Sequence, residues 1–201
     1  MAKSLVGQNI VKPSADSLAA SAQAATKKGP APVHLWNPPF CGDLDMEIKR
    51  DGTWFYMGTP IGRHALVKLF SSILKLEDGN YYLVTPVEKV GIRVEDAPFL
   101  ATDVTATGSG PDQKLTFTTQ VGDTVQAGAD NPIRVPRNPQ TGEPSPYVMV
   151  RAGLEALIDR KSFYRLVDMG ETARHNDADW FGVWSGGEFF PIIPAADLPD
   201  M

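Results

Sequence analysis

Between Cys41 and Met57 the chain spells out a β-hairpin. Leu44, Met46 and Ile48 alternate with Asp43, Asp45, Glu47 and Lys49, the two-residue period of a strand with one buried face. Asp51-Gly52 follows, a pair that accepts the backbone angles of a tight turn. Thr53 to Met57 (TWFYM) supplies the return strand. An antiparallel pair this early excludes an all-helical fold, so the rest of the chain must extend that sheet or cover it.

Downstream, Thr59-Pro60 reads as the N-cap and first residue of a helix. Leu66, Leu69, Phe70, Ile73 and Leu74 form its apolar stripe, Val67 widens it, and Asp78-Gly79 ends it. Strands follow over Tyr81 to Thr85 and Val87 to Val94, then a hairpin of Phe99 to Thr105 and Lys114 to Gln120 across a Gly/Ser/Pro loop at 107–111. The order then repeats. Thr124 to Gln126 and Ile133 to Val135 flank a turn at Ala129-Asp130-Asn131, and a Pro-rich loop runs from Pro136 to Pro144. Ser145-Pro146 opens a second helix striped by Val148, Leu154, Leu157 and Ile158. Phe163 to Asp168 reads as a strand and Trp180 to Ile193 as a final hairpin turning at Gly186-Gly187.

Sliding the chain by 83 residues lays Val67 on Val150, Leu74 on Leu157 and Tyr81 on Tyr164; further on, a slide of 81 lays Asp96 on Asp177 and Phe99 on Trp180. The expected fold is therefore α+β, with two related halves arising by internal duplication, each of antiparallel strands plus one main helix. The halves are predicted at residues 36–121 and 122–201, with residues 1–35 an arm. In that arm Ser14 caps a short helix through Ala25, too alanine-rich to be ordered without docking. Gly29 to Pro39 favours extended chain.

Net charge is −5 and the pI about 5.2, which repels phosphate backbones and disfavours general nucleic-acid binding. No apolar run approaches the roughly 20 residues of a membrane span, and Met1 to Lys12 lacks a signal-peptide stretch. Cys41 is the single cysteine, so no intrachain disulfide forms. A reducing compartment fits, and the cytoplasm is the expected location.

The block from Cys41 to Phe99 carries DGTWFY, GTPIGR, YYLVTPVEK and EDAPF. Together these segments closely resemble a bacterial family catalogued as domain of unknown function 1285. The resemblance extends more weakly through the second half and excludes most of residues 1–30. It implies a duplicated core, a C-terminal half superficially like pleckstrin-homology folds, and no established enzymatic activity. It also implies binding of a nucleotide-like ligand between the halves, in signal transduction.

The residues themselves offer several candidates. A helix opening at Thr59 to His64 would present unpaired N–H groups, with Gly62 allowing close approach and Arg63 able to clamp an anion; an ordinary capped helix is the plainer reading. The phosphate-loop pattern is absent. Trp54 and Tyr56 share one strand face and Phe55 the other, so the pair either lines an outer stacking surface or packs inside. Lys89 and Arg93 share a strand face, as a basic lip on a crevice or as members of cross-strand ion pairs. Arg151 matches Lys68 in the repeat, and Tyr147 adds a further stacking ring.

His175, Asp177 and Asp179 alternate as weak metal candidates, better read as a surface row. Asp43, Asp45 and Glu47 form a carboxylate row, better read as charges guarding a strand against aggregation. Cys41, with His34 and His64 elsewhere in the chain, reads as a small buried residue and not as a nucleophile.

The leading expectation is a non-enzymatic protein without cofactor or metal, holding a nucleotide-like or other anionic small molecule between its halves. Arg63, Lys89, Arg93 and Arg151 would supply charge, and Trp54, Tyr56 and Tyr147 stacking surface. A protein-interaction adaptor using the Pro-rich loops at 29–39 and 136–146 is the first alternative. A hydrolase or transferase using the carboxylate rows is the second. Homo-oligomerisation stays open.

Overall fold

A computed structural model of the chain describes residues 13–27 and 29–198. The first twelve residues, and with them the signal-peptide reading, lie outside that description. Helix α1 (Ala15–Thr26) begins at Ser14, whose hydroxyl accepts the Ser17 N–H in a reciprocal cap, and it docks through fully buried Leu18 and Ala22.

The first half is one six-stranded sheet. Strands β1 (Phe40–Ile48), β2 (Trp54–Tyr56) and β3 (Thr59–Pro60) form a meander, and α2 (His64–Ser72) crosses to a second meander. That second meander comprises β4 (Leu74–Glu77), β5 (Asn80–Val84) and β6 (Lys89–Val94). Strands β1 and β6 run parallel at the centre, giving the order β3-β2-β1-β6-β5-β4. Met46 lies opposite Tyr56 and Ile48 opposite Trp54, so the predicted hairpin forms in register.

The second half repeats this topology. Strands β7 (Phe99–Thr107), β8 (Lys114–Thr119) and β9 (Thr124–Gln126) form one meander. Strands β10 (Ile133–Arg134), β11 (Tyr147–Arg151) and β12 (Leu154–Ile158) form the other. Their order is β10-β11-β12-β7-β8-β9, with β12 and β7 parallel, the same arrangement read from the opposite edge. Helix α3 (Arg160–Asp168) follows the sixth strand, whereas α2 follows the third. A three-stranded sheet of β13 (Glu171–His175), β14 (Ala178–Ser185) and β15 (Glu188–Pro194) completes the fold.

The duplication is therefore one of topology, and its register differs from the predicted offset. A slide of 83 residues lays Val67 of α2 on Val150 of β11, and Tyr81 of β5 on Tyr164 of α3. Strands β7 and β8 belong to the second sheet, so the halves divide between Val94 and Phe99 and not at 121/122.

Four local readings also change. Thr59-Pro60 is a strand opposite Phe55 and Tyr56, and the helix begins later, at His64. That helix stops at Ser72, where the Ser71 and Ser72 hydroxyls donate back to the Lys68 and Leu69 carbonyls; Asp78-Gly79 is the turn between β4 and β5. Residues Tyr147 to Ile158 form a hairpin instead of a helix, because Ala152 and Gly153 both take positive φ (46° and 80°) and reverse the chain. The predicted strand Phe163 to Asp168 is α3, started by Asp159, whose carboxylate accepts the Ser162 N–H.

One core joins the parts. Leu44, Met46, Ile48, Trp54 and Phe70 from the first half pack in the same cluster as Phe99, Phe117 and Leu154 from the second. The third sheet is fastened by Ser185, which is fully buried. Its hydroxyl donates to the Ala127 carbonyl at 2.7 Å and accepts the Leu115 N–H at 2.9 Å.

Candidate functional site

The cations and aromatic rings singled out in the sequence do not gather into one hollow. Trp54 is 1% exposed and stacks on Phe70 at 6.3 Å between ring centroids, so neither ring face is open to a ligand. Tyr56 is half-buried on the same inner face, and Phe55 turns outward. Arg93 sits opposite Glu47 on the outer face and pairs with Asp45 at 2.9 Å. Lys89 pairs with Glu77 at 3.1 Å and lies 4.9 Å above the Tyr82 ring. The Lys49 hydrogen bond holds the Glu47 carboxyl below its ordinary range, and the Lys89 hydrogen bond does the same for Glu77. Arg93–Asp45 and Lys89–Glu77 are cross-strand ion pairs on a solvated sheet face, and the Glu47 and Glu77 carboxyls are held toward the ionised form by their lysines.

Arg63 is exposed at the N-cap of α2. Arg151 does lie between the halves, but its charge is already matched: it meets Asp123 at 2.5 Å, donates to the Ser71 carbonyl at 2.9 Å and covers the Phe99 ring. It clamps the second half to the end of α2. His175 ends β13 and Asp179 lies in β14, across a turn at Asn176-Asp177, so the proposed metal row is not one strand face. The Cys41 thiol lies 3.4 Å from the Pro39 carbonyl.

A concavity of about 650 Å³ lies elsewhere on the seam. The β1–β2 turn contributes Arg50 and Asp51, and β7 contributes Leu100. Leu157 and Ile158 come from the end of β12, and Pro144 and Pro146 with Glu143 from the Pro-rich loop. The first turns of α3 add Asp159, Arg160, Phe163 and Tyr164. The wall is mostly apolar, with two cations and three carboxylates at its edges.

Each charge has a definite partner or none. Arg160 donates through Nε to the Tyr164 hydroxyl at 2.9 Å and covers its exposed ring, and it pairs with no carboxylate among the described residues. Arg50 lies 2.9 Å from Asp96, without hydrogen-bond alignment. The other Asp96 oxygen accepts the Tyr147 hydroxyl at 2.7 Å. Burial, then that hydrogen bond, pushes the Tyr147 hydroxyl above its ordinary value and keeps it a donor. Tyr147 is 8% exposed and so supports Arg50 from behind; it is no stacking platform. Asp51 and Asp159 each accept a backbone N–H in a local cap, from Thr53 and Ser162.

None of the seven predicted residues lines this crevice; Tyr147 comes nearest, through Asp96. The residues that do line it on α3 were hidden by reading that segment as a strand. A signal was present: Asp159 with Ser162 three residues on, then Phe163, Leu166 and Val167 at helical spacing.

Two family models cover the chain with their boundary at the seam: the N-terminal domain of DUF1285, a domain of unknown function, over residues 31–97, and the corresponding C-terminal domain over 98–192. The chain belongs to the DUF1285 family. A crystal structure of a DUF1285 family protein from Silicibacter pomeroyi DSS-3 is 67% identical, with a TM-score of 0.81; the match covers 90% of this chain and 96% of that one. A second, from Shewanella baltica OS155, is 30% identical over 63% of this DUF1285 chain and 92% of its own, with a TM-score of 0.50. No curated protein matches. Among the described residues, no helix is long and apolar enough to cross a membrane.

Proposed function

We propose that this DUF1285 protein is a non-catalytic binding protein for a nucleotide-like small molecule, held in the crevice where the two halves meet. The supporting observation is the composition of that crevice. Its volume of about 650 Å³ lies within the range that accepts a ligand of this size. Phe163 and Tyr164 offer aromatic surface for a flat heterocycle, with Leu157 and Leu100 as apolar floor. Arg160 and Arg50 are the cations for a phosphate group. Asp51 and Glu143 are acceptors for sugar hydroxyls. Because Asp51 belongs to one half and α3 to the other, a bound molecule would bridge them and bias their relative position, a route to signalling.

The test is thermal-shift screening against adenine and guanine nucleotides, cyclic dinucleotides and phosphosugars. A true ligand at about a hundred times its dissociation constant adds roughly 2.7 kcal/mol, at roughly 2–4 °C per kcal/mol for a chain of this size. Arg160→Ala, whose side chain touches only Tyr164 among the polar groups, should leave the unliganded melting point nearly unchanged. It should weaken binding by about 1.5–3 kcal/mol, or roughly ten- to a hundredfold. A flat response across the panel would transfer the assignment to a protein-interaction role. For that role exposed Leu35, Phe40, Met57 and Val87, all outside the crevice, are the supporting surface.

A further inference from the structure

A smaller hollow, about 300 Å³, opens at the start of α2 and shares only Asp51 with the crevice. Both halves build it: Trp54 of β2, with Gly62 and His64 at the helix entrance, face Gln120 from the segment after β8. Two of these side chains carry enclosed N–H groups with no partner among the described residues. The indole Nε1–H of Trp54 meets no acceptor, although the residue is 1% exposed. The Gln120 amide nitrogen is likewise enclosed and unmatched. Its orientation is fixed, because Oε1 at the other end accepts the Leu100 N–H at 2.8 Å. A buried donor left unmet costs about 1–3 kcal/mol, and native folds keep few of them.

The helix adds donors of its own. Arg63 at the N-cap makes no side-chain capping bond. The Leu66 and Val67 N–H groups turn back to the Arg63 carbonyl, whereas those of His64 and Ala65 have no such partner at the positive end of the helix. Around Gly62 there is open room, with no heavy atom within 4 Å of where a Cβ would stand. Donors from two side chains and one helix end belong to residues that line this hollow, and none of them meets an acceptor among the described residues.

We propose that this hollow binds a small carboxylate anion, independently of the crevice ligand. A planar carboxylate has two oxygens, one for the indole and amide N–H groups and one for the helix end. Asp51 lines the same hollow, and the Thr53 N–H lowers its carboxyl below the ordinary range, so it opposes a doubly charged ligand such as phosphate more strongly than a singly charged carboxylate. Exposed His64 lines the entrance, and exposed Arg63 is its chain neighbour.

The test uses the whole 201-residue chain, labelled with nitrogen-15. Its four tryptophans give four indole signals, and Trp54→Phe identifies the one from Trp54. Sodium acetate should move that signal and the Gln120 amide pair saturably. Acetamide, equal in shape but neutral, should move them little, and sodium phosphate should bind more weakly than acetate. Gln120→Glu keeps the acceptor for Leu100 while setting a negative oxygen in place of the amide nitrogen; it should weaken the acetate response roughly tenfold or more. The proposal fails if acetate leaves the Trp54 indole unmoved while that N–H exchanges magnetisation with a long-lived water, since a trapped water would then satisfy the donors. Phosphate binding tighter than acetate would overturn the carboxylate assignment.

Discussion

Replacing Trp54 by alanine is expected to cost about 3–5 kcal/mol of folding stability. The ring is buried between the first sheet and α2, stacked on Phe70, in the cluster that joins both halves. Its removal leaves a void that the parallel β1–β6 centre of the sheet can close only in part. Against a typical total of about 5–15 kcal/mol, that loss is a large share. Trp54→Phe keeps an aromatic face against Phe70 and should cost much less. Urea melts of the two variants check the order. If alanine and phenylalanine prove equally mild, Trp54 is not the keystone that its burial implies.

Ser185→Ala is the second large effect, and it arises from polarity instead of volume. The hydroxyl satisfies the Leu115 N–H and the Ala127 carbonyl, both inside the molecule, and alanine leaves both unmet. The expected cost is about 1–3 kcal/mol for each, far beyond the loss of one oxygen from a surface. The damage should be local first, because Ser185 fastens β14 to β8. Hydrogen exchange at the Leu115 amide should accelerate more than at amides in the first sheet. Ser71→Ala is the control: its hydroxyl, also buried, donates only within its own helix end, to the Lys68 carbonyl. Equal exchange at Leu115 in the two variants would contradict this view of how the third sheet is held.

The sequence announces the fold wherever turn chemistry and strand period agree. Leu44, Met46 and Ile48 alternate, Asp51-Gly52 reverses the chain, and the hairpin forms as read. Gly186-Gly187 turns β14 into β15 in the same way. The errors have a common origin. Apolar residues over a dozen positions do not by themselves separate a helix from a hairpin, and the deciding residues are then the ones at the turn. Ala152-Gly153 reverses the chain without the Asn or Asp that advertises such turns, so Tyr147 to Ile158 reads as helical. Ile73 and Leu74 continue the stripe of α2 although the helix has ended at Ser72. The seven candidate residues went astray for a different reason. Periodicity tells which side of a strand a residue occupies, but not whether a carboxylate waits on the neighbouring strand. Arg93 and Arg151 meet theirs, Asp45 and Asp123, across distances in sequence that no local pattern records.

What remained legible was the idea of a seam between two copies of one topology. Its chemistry is set by α3 and the β1–β2 turn, whose meeting is a product of tertiary packing.

Amide and side-chain chemical-shift mapping, with the nucleotide panel added to labelled protein, examines that seam most directly. The expected result is saturable change at Arg50, Asp51, Leu157 and the α3 residues Arg160, Phe163 and Tyr164, weakened in Arg160→Ala. Changes confined to the outer sheet face around Lys89 and Arg93, or spectra untouched by every nucleotide tried, would contradict it.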